Sequence, residues 1–424
     1  MHKLLLVSYN FPPVGGAGVQ RSTKFVKYLR SFNWEPVVLT VDNPSVPVID
    51  NALCKDIPEG IKIRRARSLE PSYKNKEVFS SDKQQHGWNV KKILRKIISY
   101  FLLPDIQVLW WPYYSIELYK IIKIERPDCI FVTAPPFSSF VPAAFIGSMY
   151  RIPVVLDYRD EWAFSRQQWE NSNKSAWAKF TDNLLERYVI GKCSAITATN
   201  ASYISSLKKL YPKASEKFSR VIPNGYDEDD FIGIESFKQT GYPIKIVYTG
   251  TVWKATSLNN IVAALSMLAQ KQGEPLFLLD IYGRVVPTEM TYLTTENAKK
   301  FISIHGYVEH DVVVQRMHEA DILLISLSNL PGAGKIITGK LFEYMATGKH
   351  IMAVVPDGET GRIVAKEYDN STMANPDDVE NIKHSFEMNF KDIHNIRNNS
   401  GYCPVKYMRK NLTESLAILL NALK

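Results

Sequence analysis

Glycines and lysines crowd the segment Pro331-Gly-Ala-Gly-Lys-Ile-Ile-Thr-Gly-Lys-Leu-Phe-Glu-Tyr-Met-Ala-Thr-Gly348, ahead of and within a short helical pattern. Glycine lets backbone amides approach a ligand closely, and lysine neutralises anionic charge, so the segment suits the phosphates of a nucleotide. Lys335 and Lys340 carry that charge. Lys340 and Glu343 are three residues apart and share one helix face. A carboxylate there can accept from both hydroxyls of a ribose; the plain alternative is an ion pair on a packing helix. A Walker-type phosphate loop is excluded, because Gly332, Gly334, Lys335 and Gly339-Lys340 do not give its spacing.

Other polar clusters stand where apolar runs stop. Tyr9-Asn-Phe-Pro-Pro-Val-Gly-Gly-Ala-Gly-Val-Gln-Arg21 is a glycine-rich loop opening a helix, in which Gly15 and Gly16 offer amides to a phosphate or a developing oxyanion. A dinucleotide-binding loop, with Asp42 as its ribose acid, competes poorly, since Arg21 stands where the third glycine belongs. A turn that merely needs glycine is the simplest alternative. Asp157-Tyr-Arg-Asp-Glu-Trp162 follows an apolar run; there Asp160 can accept a proton or bind sugar hydroxyls, and Arg159 can bind phosphate or orient the acid, unless the cluster is only a salt-bridged strand end. Gly250 and Lys254 in Val247-Tyr-Thr-Gly-Thr-Val-Trp-Lys254 suit a diphosphate, although Lys254 reads equally as a surface lysine. Asp280-Ile-Tyr-Gly-Arg284 and His305-Gly-Tyr-Val308 end two further runs, with glycines that would let a planar base sit against backbone.

These clusters need a scaffold that brings them to one edge. Strand-like runs at 3–8, 36–41, 128–133, 153–157 and 195–199 alternate with helical patterns at 19–29, 113–125, 137–150 and 177–190. The alternation restarts at Pro243, with strands over 244–249, 276–282, 301–305, 322–325 and 350–354 and helices over 258–271, 311–317 and 339–347. The pattern predicts an α/β chain with two parallel sheets covered on both faces. Domain boundaries are expected at 1–235 and 236–403, with a helix over 404–424 that returns to the first domain. In such sheets ligands bind outside the carboxyl ends of the strands, where the clusters fall.

Of the 424 residues 45% are hydrophobic and 22% charged, which excludes a disordered or collagen-like chain. No apolar run approaches the ~18 residues of a membrane-spanning helix, and the four apolar residues after Lys3 are too few for a secretory signal. The mature chain is expected to start at Met1 and to reside in the cytoplasm. Cys54, Cys129, Cys193 and Cys403 form no close pair, which argues against a disulfide framework or zinc knuckle. A surplus of 52 basic over 43 acidic residues, +9, favours anionic partners. It is dispersed and no recognition module accompanies it, so nucleic acid is not expected. Residues 90–103 read as an amphipathic helix with Lys91, Lys92, Arg95 and Lys96 on its flank, and Trp110 and Trp111 follow as interfacial aromatics. Either this helix lies on an anionic inner membrane face, with Arg21 and these residues turned to acceptor or lipid, or its apolar side packs on the core.

Taken together, Phe-Pro-Pro-x-Gly-Gly, Ile-Pro-Asn-Gly-Tyr-Asp, Tyr-Thr-Gly, His-Gly-Tyr-Val and Lys-Leu-Phe-Glu-Tyr-Met-Ala-Thr-Gly-Lys make the chain resemble glycosyltransferase family 4. The resemblance implies the GT-B fold, two Rossmann-like domains facing across a cleft. It implies retaining transfer of a hexose or N-acetylhexosamine from a UDP- or GDP-sugar to a glycan or polyprenyl-diphosphate-linked acceptor. By the same resemblance Glu343 binds the donor ribose and Tyr307 and Val308 hold the base. Gly250, Lys254, Arg284, Lys335, Thr338, Lys340 and Leu341 surround the rest of the donor, and Gly15 and Gly16 approach phosphate and acceptor. Two positions depart from the family pattern: Lys335 stands in place of a first glutamate, and Thr251 in place of an arginine.

No cofactor or metal is expected to be required, because lysines and amides supply the charge for front-face attack and Asp227-Glu-Asp-Asp230 reads as a solvated linker. Bacterial surface polysaccharide or lipopolysaccharide assembly is the expected setting. A nucleotide-sugar epimerase of the same fold and a non-catalytic nucleotide-sugar-binding protein are the alternatives.

Overall fold

Leu4, Leu5 and Leu6 in succession are fully buried, as are Ile322 to Ile325, so these strands are covered on both faces, which parallel strands require. The computed structural model describes residues 1–73, 102–163, 174–234, 241–272 and 275–424. The chain divides into two compact units, Met1–Pro223 with Lys410–Lys424, and Asn224–Arg409.

In the first unit the strands are β1 (His2–Val7), β2 (Trp34–Val41), β3 (Lys62–Ala66), β4 (Cys129–Ala134), β5 (Val154–Tyr158), β6 (Ala195–Ala198) and β7 (Phe218–Val221). They form one sheet in the order β3-β2-β1-β4-β5-β6-β7, and every pairing is parallel. The strand order reverses between β1 and β4, which opens a crevice at their carboxyl ends. Helices α2 (Trp111–Glu125), α3 (Phe140–Tyr150), α4 (Ala176–Lys192) and α5 (Ala201–Leu210) share one core with Leu5, Val7, Ile130, Val132 and Leu156.

The opposite face carries α1 (Ala17–Leu29) and a last helix written here as α13 (Arg409–Asn421). Leu412, Leu416 and Leu420 of α13 pack with Leu4, Leu6, Phe25 and Trp34. Burial of each such leucine contributes roughly 1.5–3 kcal/mol, and Trp34 Nε1 adds a hydrogen bond of 3.1 Å to Asn421 Oδ1. Those contacts hold the C-terminal helix in the first unit.

In the second unit β8 (Ile244–Thr249), β9 (Phe277–Tyr282), β10 (Ile302–Gly306), β11 (Ile322–Ser326), β12 (His350–Val354) and β13 (Ser371–Ala374) form a parallel sheet in the order β10-β9-β8-β11-β12-β13. Its helices are α6 (Asn259–Gln272), α7 (Pro287–Leu293), α8 (His310–His318), α9 (Lys340–Ala346), α10 (Glu359–Glu367), α11 (Val379–Lys391) and α12 (Ile393–Asn398). The order reverses between β8 and β11, so the segments following Thr249 and Ser326 flank the crevice. Residues 90–101 of the helix predicted over 90–103, with Lys91, Lys92, Arg95 and Lys96, lie outside the described residues.

Candidate active site

The ends of β8, β9 and β10 are tied by backbone hydrogen bonds and, at Gly283, by an approach that only glycine permits. Gly250 donates to Tyr282 O at 2.8 Å and Gly283 donates to Gly306 O at 2.7 Å. Gly283 has φ +141°, and a Cβ on it would lie 2.2 Å from Gly250 O. Beside this edge, α9 is locked to β8: Tyr344 Oη accepts from the Thr249 N–H at 2.8 Å and lies 3.0 Å from Thr249 Oγ1.

The Lys340–Glu343 ion pair of the alternative reading does not form. Lys340 Nζ sits 3.8 Å from the centroid of the Tyr248 ring, a cation–π contact, and near Gly250, where an added Cβ would come within 3.1 Å of it. Glu343 is half-buried, and its carboxylate has no hydrogen-bond or ion-pair partner among the described residues. A half-buried carboxylate without partners costs stability, and it keeps both oxygens ready to accept from a ligand's hydroxyls. Lys254 is exposed, and Arg284 and Tyr307 are exposed on neighbouring segments. Lys335 and Thr338 are half-buried.

Gly334 and Gly358 bring two loops into contact, since a Cβ on Gly358 would meet Gly334 O at 2.1 Å. A concavity of about 1030 Å³ opens there, lined by Asn329, Gly332, Asp357, Arg362 and Asn375 among others. Lys340 and Glu343 do not line it. The crevice between β8 and β11, where α9 presents them, is the position that strand order favours for a ligand.

In the first unit the glycine-rich loop is pinned by Val14 bridging Ile49 and by the Gly15 N–H donating to Val48 O at 3.1 Å. That amide is thereby taken up within the loop. Gly16, at φ +99°, precedes α1, whose first turn has no side-chain cap. Arg159 spends its guanidinium on the carbonyls of Gly18, Ala134 and Pro135. It holds the start of α1 against the end of β4, so of the two roles expected of it, binding phosphate or orienting Asp160, these contacts speak against the first. Asp160 beside it is exposed.

Four further expectations are corrected. Arg21 does not face acceptor or membrane: it is 1% exposed and pairs with Asp157. Trp110 is fully buried, stacks on Tyr114 at 4.2 Å and donates from Nε1 to Ala66 O. Trp111 is partly buried and donates to Ser138 O at 2.7 Å. Leu341 turns its side chain into the core, and its amide donates to Thr338 O, so it offers a donor little. The Val308 side chain packs partly on the core, which is compatible with the backbone role expected of it.

Asp157 is the polar centre of the first sheet. It accepts from Arg21 Nε at 2.9 Å and Nη2 at 2.7 Å, and from the hydroxyls of Thr133 and Thr197 at 2.7 Å each. Register makes this possible, since Thr133, Asp157 and Thr197 pair side by side across β4, β5 and β6. Burial would raise the Asp157 pKa, but the charge and hydrogen bonds of Arg21 with the two threonines outweigh it and hold it below the ordinary value.

Glu186 shows the opposite balance. Burial pushes its carboxyl up to about 8 against the hydrogen bonds from Tyr211 and the Ala163 amide. Its Oε1, Tyr158 Oη and Trp162 Nε1 are buried without partners among the described residues, around a small cavity.

The contributions missed from sequence are Tyr248, Tyr344 and the Arg21–Asp157 pair. Tyr344 was visible as one residue of the Phe-Glu-Tyr-Met run, whereas Arg21 and Asp157 lie far apart in the chain and carry no local signal.

Two units, each a parallel sheet covered by helices and each with a reversal of strand order, define the class of folds built from two Rossmann-like domains, and the comparisons agree. The family model described as Glycosyltransferase Family 4 matches residues 24–230, so the family read from the motifs is borne out. No curated protein matches the sequence. Among solved structures, Anabaena Alr3699/HepE in complex with UDP-glucose aligns with a TM-score of 0.61 at 12% identity, covering 100% of this chain and 98% of that one. Sucrose-phosphate synthase from Thermosynechococcus elongatus gives 0.60 at 12% identity, covering 100% and 96%. The lipopolysaccharide outer core galactosyltransferase WaaB, in its apo form, gives 0.55 at 11% identity, covering 99% of each. The chain therefore has the GT-B fold.

Proposed function

We propose that the chain is a retaining glycosyltransferase that moves a hexose or N-acetylhexosamine from a UDP- or GDP-sugar to a glycan or polyprenyl-diphosphate-linked acceptor. The observation that carries it is the half-buried carboxylate of Glu343, without a hydrogen-bond or ion-pair partner among the described residues and one helical turn from Lys340, which lies over the Tyr248 ring near the end of β8. Glu343 takes the two ribose hydroxyls, and Tyr307 with the Val308 backbone borders the base. Lys254, Lys335, Lys340 and the amides after Gly250 take the diphosphate and stabilise the charge that grows on it as the glycosidic bond breaks. In the first unit Gly16 and Asp160 serve the acceptor side.

The similarity to HepE, solved with UDP-glucose, and to the galactosyltransferase WaaB supports a sugar nucleotide as donor and a cell-surface glycan as product. We place the reaction at the inner face of the plasma membrane, without a required metal, because the lysines above supply the cationic charge.

The test is incubation with UDP-glucose, UDP-galactose, UDP-N-acetylglucosamine and GDP-mannose, with and without polyprenyl-diphosphate-linked sugars, in buffer containing a chelator. Acceptor-dependent release of nucleoside diphosphate, with the anomeric configuration retained, is expected. Conversion of a donor to its epimer without acceptor would overturn transfer in favour of epimerisation. Return of every donor unchanged would overturn catalysis.

A further inference from the structure

α3 lies between α2 and α4 on one face of the first unit's sheet, and the outer sides of these three helices are apolar. On α4, Trp177, Phe180 and Leu184 recur at helical spacing and are 54%, 60% and 55% exposed. Phe145 and Met149 continue the surface on α3, and Tyr113, Ile116, Tyr119 and Ile124 on α2. At roughly 100–150 Å² each, these nine side chains expose on the order of 1,000 Å², against the ~300–600 Å² of the largest patch on a typical monomer. Nothing in the sheet below requires this: α4 already buries Ala178, Val189 and Ile190 on its inner side.

Charge selects the occupant. Of the four acids on these helices, Glu125, Asp182 and Glu186 are buried, and Glu117 is paired with Lys120 at 2.6 Å. The exposed basic residues are Lys120, Lys123 and Arg126 on or capping α2, Arg151 capping α3, and Arg187 and Lys192 on α4. Lys123 lies over the rings of both Tyr119 and Tyr150 and so spans α2 and α3. An apolar face on helices that also carry exposed cations, one of them over two aromatic rings, matches an anionic bilayer surface. A second copy of the chain would instead bring two cationic faces together, which like-charge repulsion disfavours.

We propose that the outer face of α2, α3 and α4 is a docking surface for an anionic phospholipid bilayer, with Trp177, Phe180 and Phe145 entering the interface. The inference deepens the membrane location proposed above, but its test reads lipid binding alone, so it can fail while nucleotide transfer stands, and the reverse.

The experiment is co-sedimentation of the full chain with vesicles of phosphatidylcholine and of 3:1 phosphatidylcholine:phosphatidylglycerol, with sedimentation velocity run in parallel. Salt-sensitive binding to the anionic vesicles is expected, at least tenfold weaker in Trp177→Glu/Phe180→Glu. Lys123→Glu/Arg187→Glu, which leaves the apolar side chains in place, is expected to weaken it roughly fivefold per charge. All four side chains are on the surface, so unchanged melting temperatures are expected and check the fold. Absence of vesicle binding, or binding that both variants retain in full, would overturn the proposal. So would a dimer of the wild type that Trp177→Glu/Phe180→Glu abolishes, which would assign the face to a second copy.

Discussion

Arg21 and Asp157 meet side-on, Nε to Oδ2 at 2.9 Å and Nη2 to Oδ1 at 2.7 Å, with neither side chain more than 1% exposed. Arg21 also donates to Pro223 O at 2.9 Å and lies over the Phe25 ring. A buried pair that is satisfied on both sides is costly to break from one side, about 3–5 kcal/mol. Arg21→Ala should therefore lower unfolding free energy by that order in urea titrations. The Asp157 pKa is lowered on folding, so its contribution is present above the unfolded carboxyl pKa and is lost as pH falls towards its lower folded value. Asp157→Asn should accordingly flatten the acid limb of the stability curve.

Glu186 gives the reverse sign. Its folded pKa of about 8 stands above the ordinary 4.5, so the folded state binds more protons between those values. Stability contributed by this group falls as pH rises from about 4.5 to about 8. Glu186→Gln keeps an oxygen for Tyr211 and brings an amide beside Tyr158 Oη. It should stabilise the fold by at least ~1 kcal/mol at pH 8.5 and by less at pH 5.5. Equal effects at the two pH values would contradict the account of this carboxyl.

Gly283 allows β9 to end against Gly250. Gly283→Ala combines a positive φ with a clash against backbone, so a loss of at least ~2 kcal/mol is expected, read by thermal unfolding. Nucleotide affinity should fall with it, because the same contact shapes the edge beside Lys340.

Asp160 is exposed, next to the Arg159 clamp. Asp160→Ala should reduce kcat by ~10²–10⁴-fold if it exchanges a proton with the acceptor, leaving nucleotide affinity and melting temperature nearly unchanged. A matching loss of nucleotide affinity would place it on the donor instead.

Both sheets were legible because their strands are apolar runs bounded by turn residues; Ile244–Thr249 and His350–Val354 match the expected bounds to the residue. β3 was not, since Lys62-Ile-Arg-Arg-Ala66 is an edge strand with mostly exposed, charged side chains, and β13, Ser371–Ala374, is a short polar edge. In the candidate site, Lys340 and Glu343 could be picked out by spacing and residue type. Their separation could not, because it depends on Tyr248, which arrives from another strand and offers Lys340 its ring. Arg159 shows the same limit: its type suggested phosphate, while the carbonyls that occupy it come from β4 and from α1.

In the function proposed above, Glu343 grips the ribose of a nucleotide on the C-terminal unit. Isothermal titration of UDP and GDP into wild type, Glu343→Ala and Glu343→Gln tests it most directly. Glu343 has no side-chain partner among the described residues to lose, so each variant should melt close to wild type, while Glu343→Ala should weaken the preferred nucleotide by at least tenfold, with Glu343→Gln in between. Equal affinity in wild type and Glu343→Ala would contradict the claim.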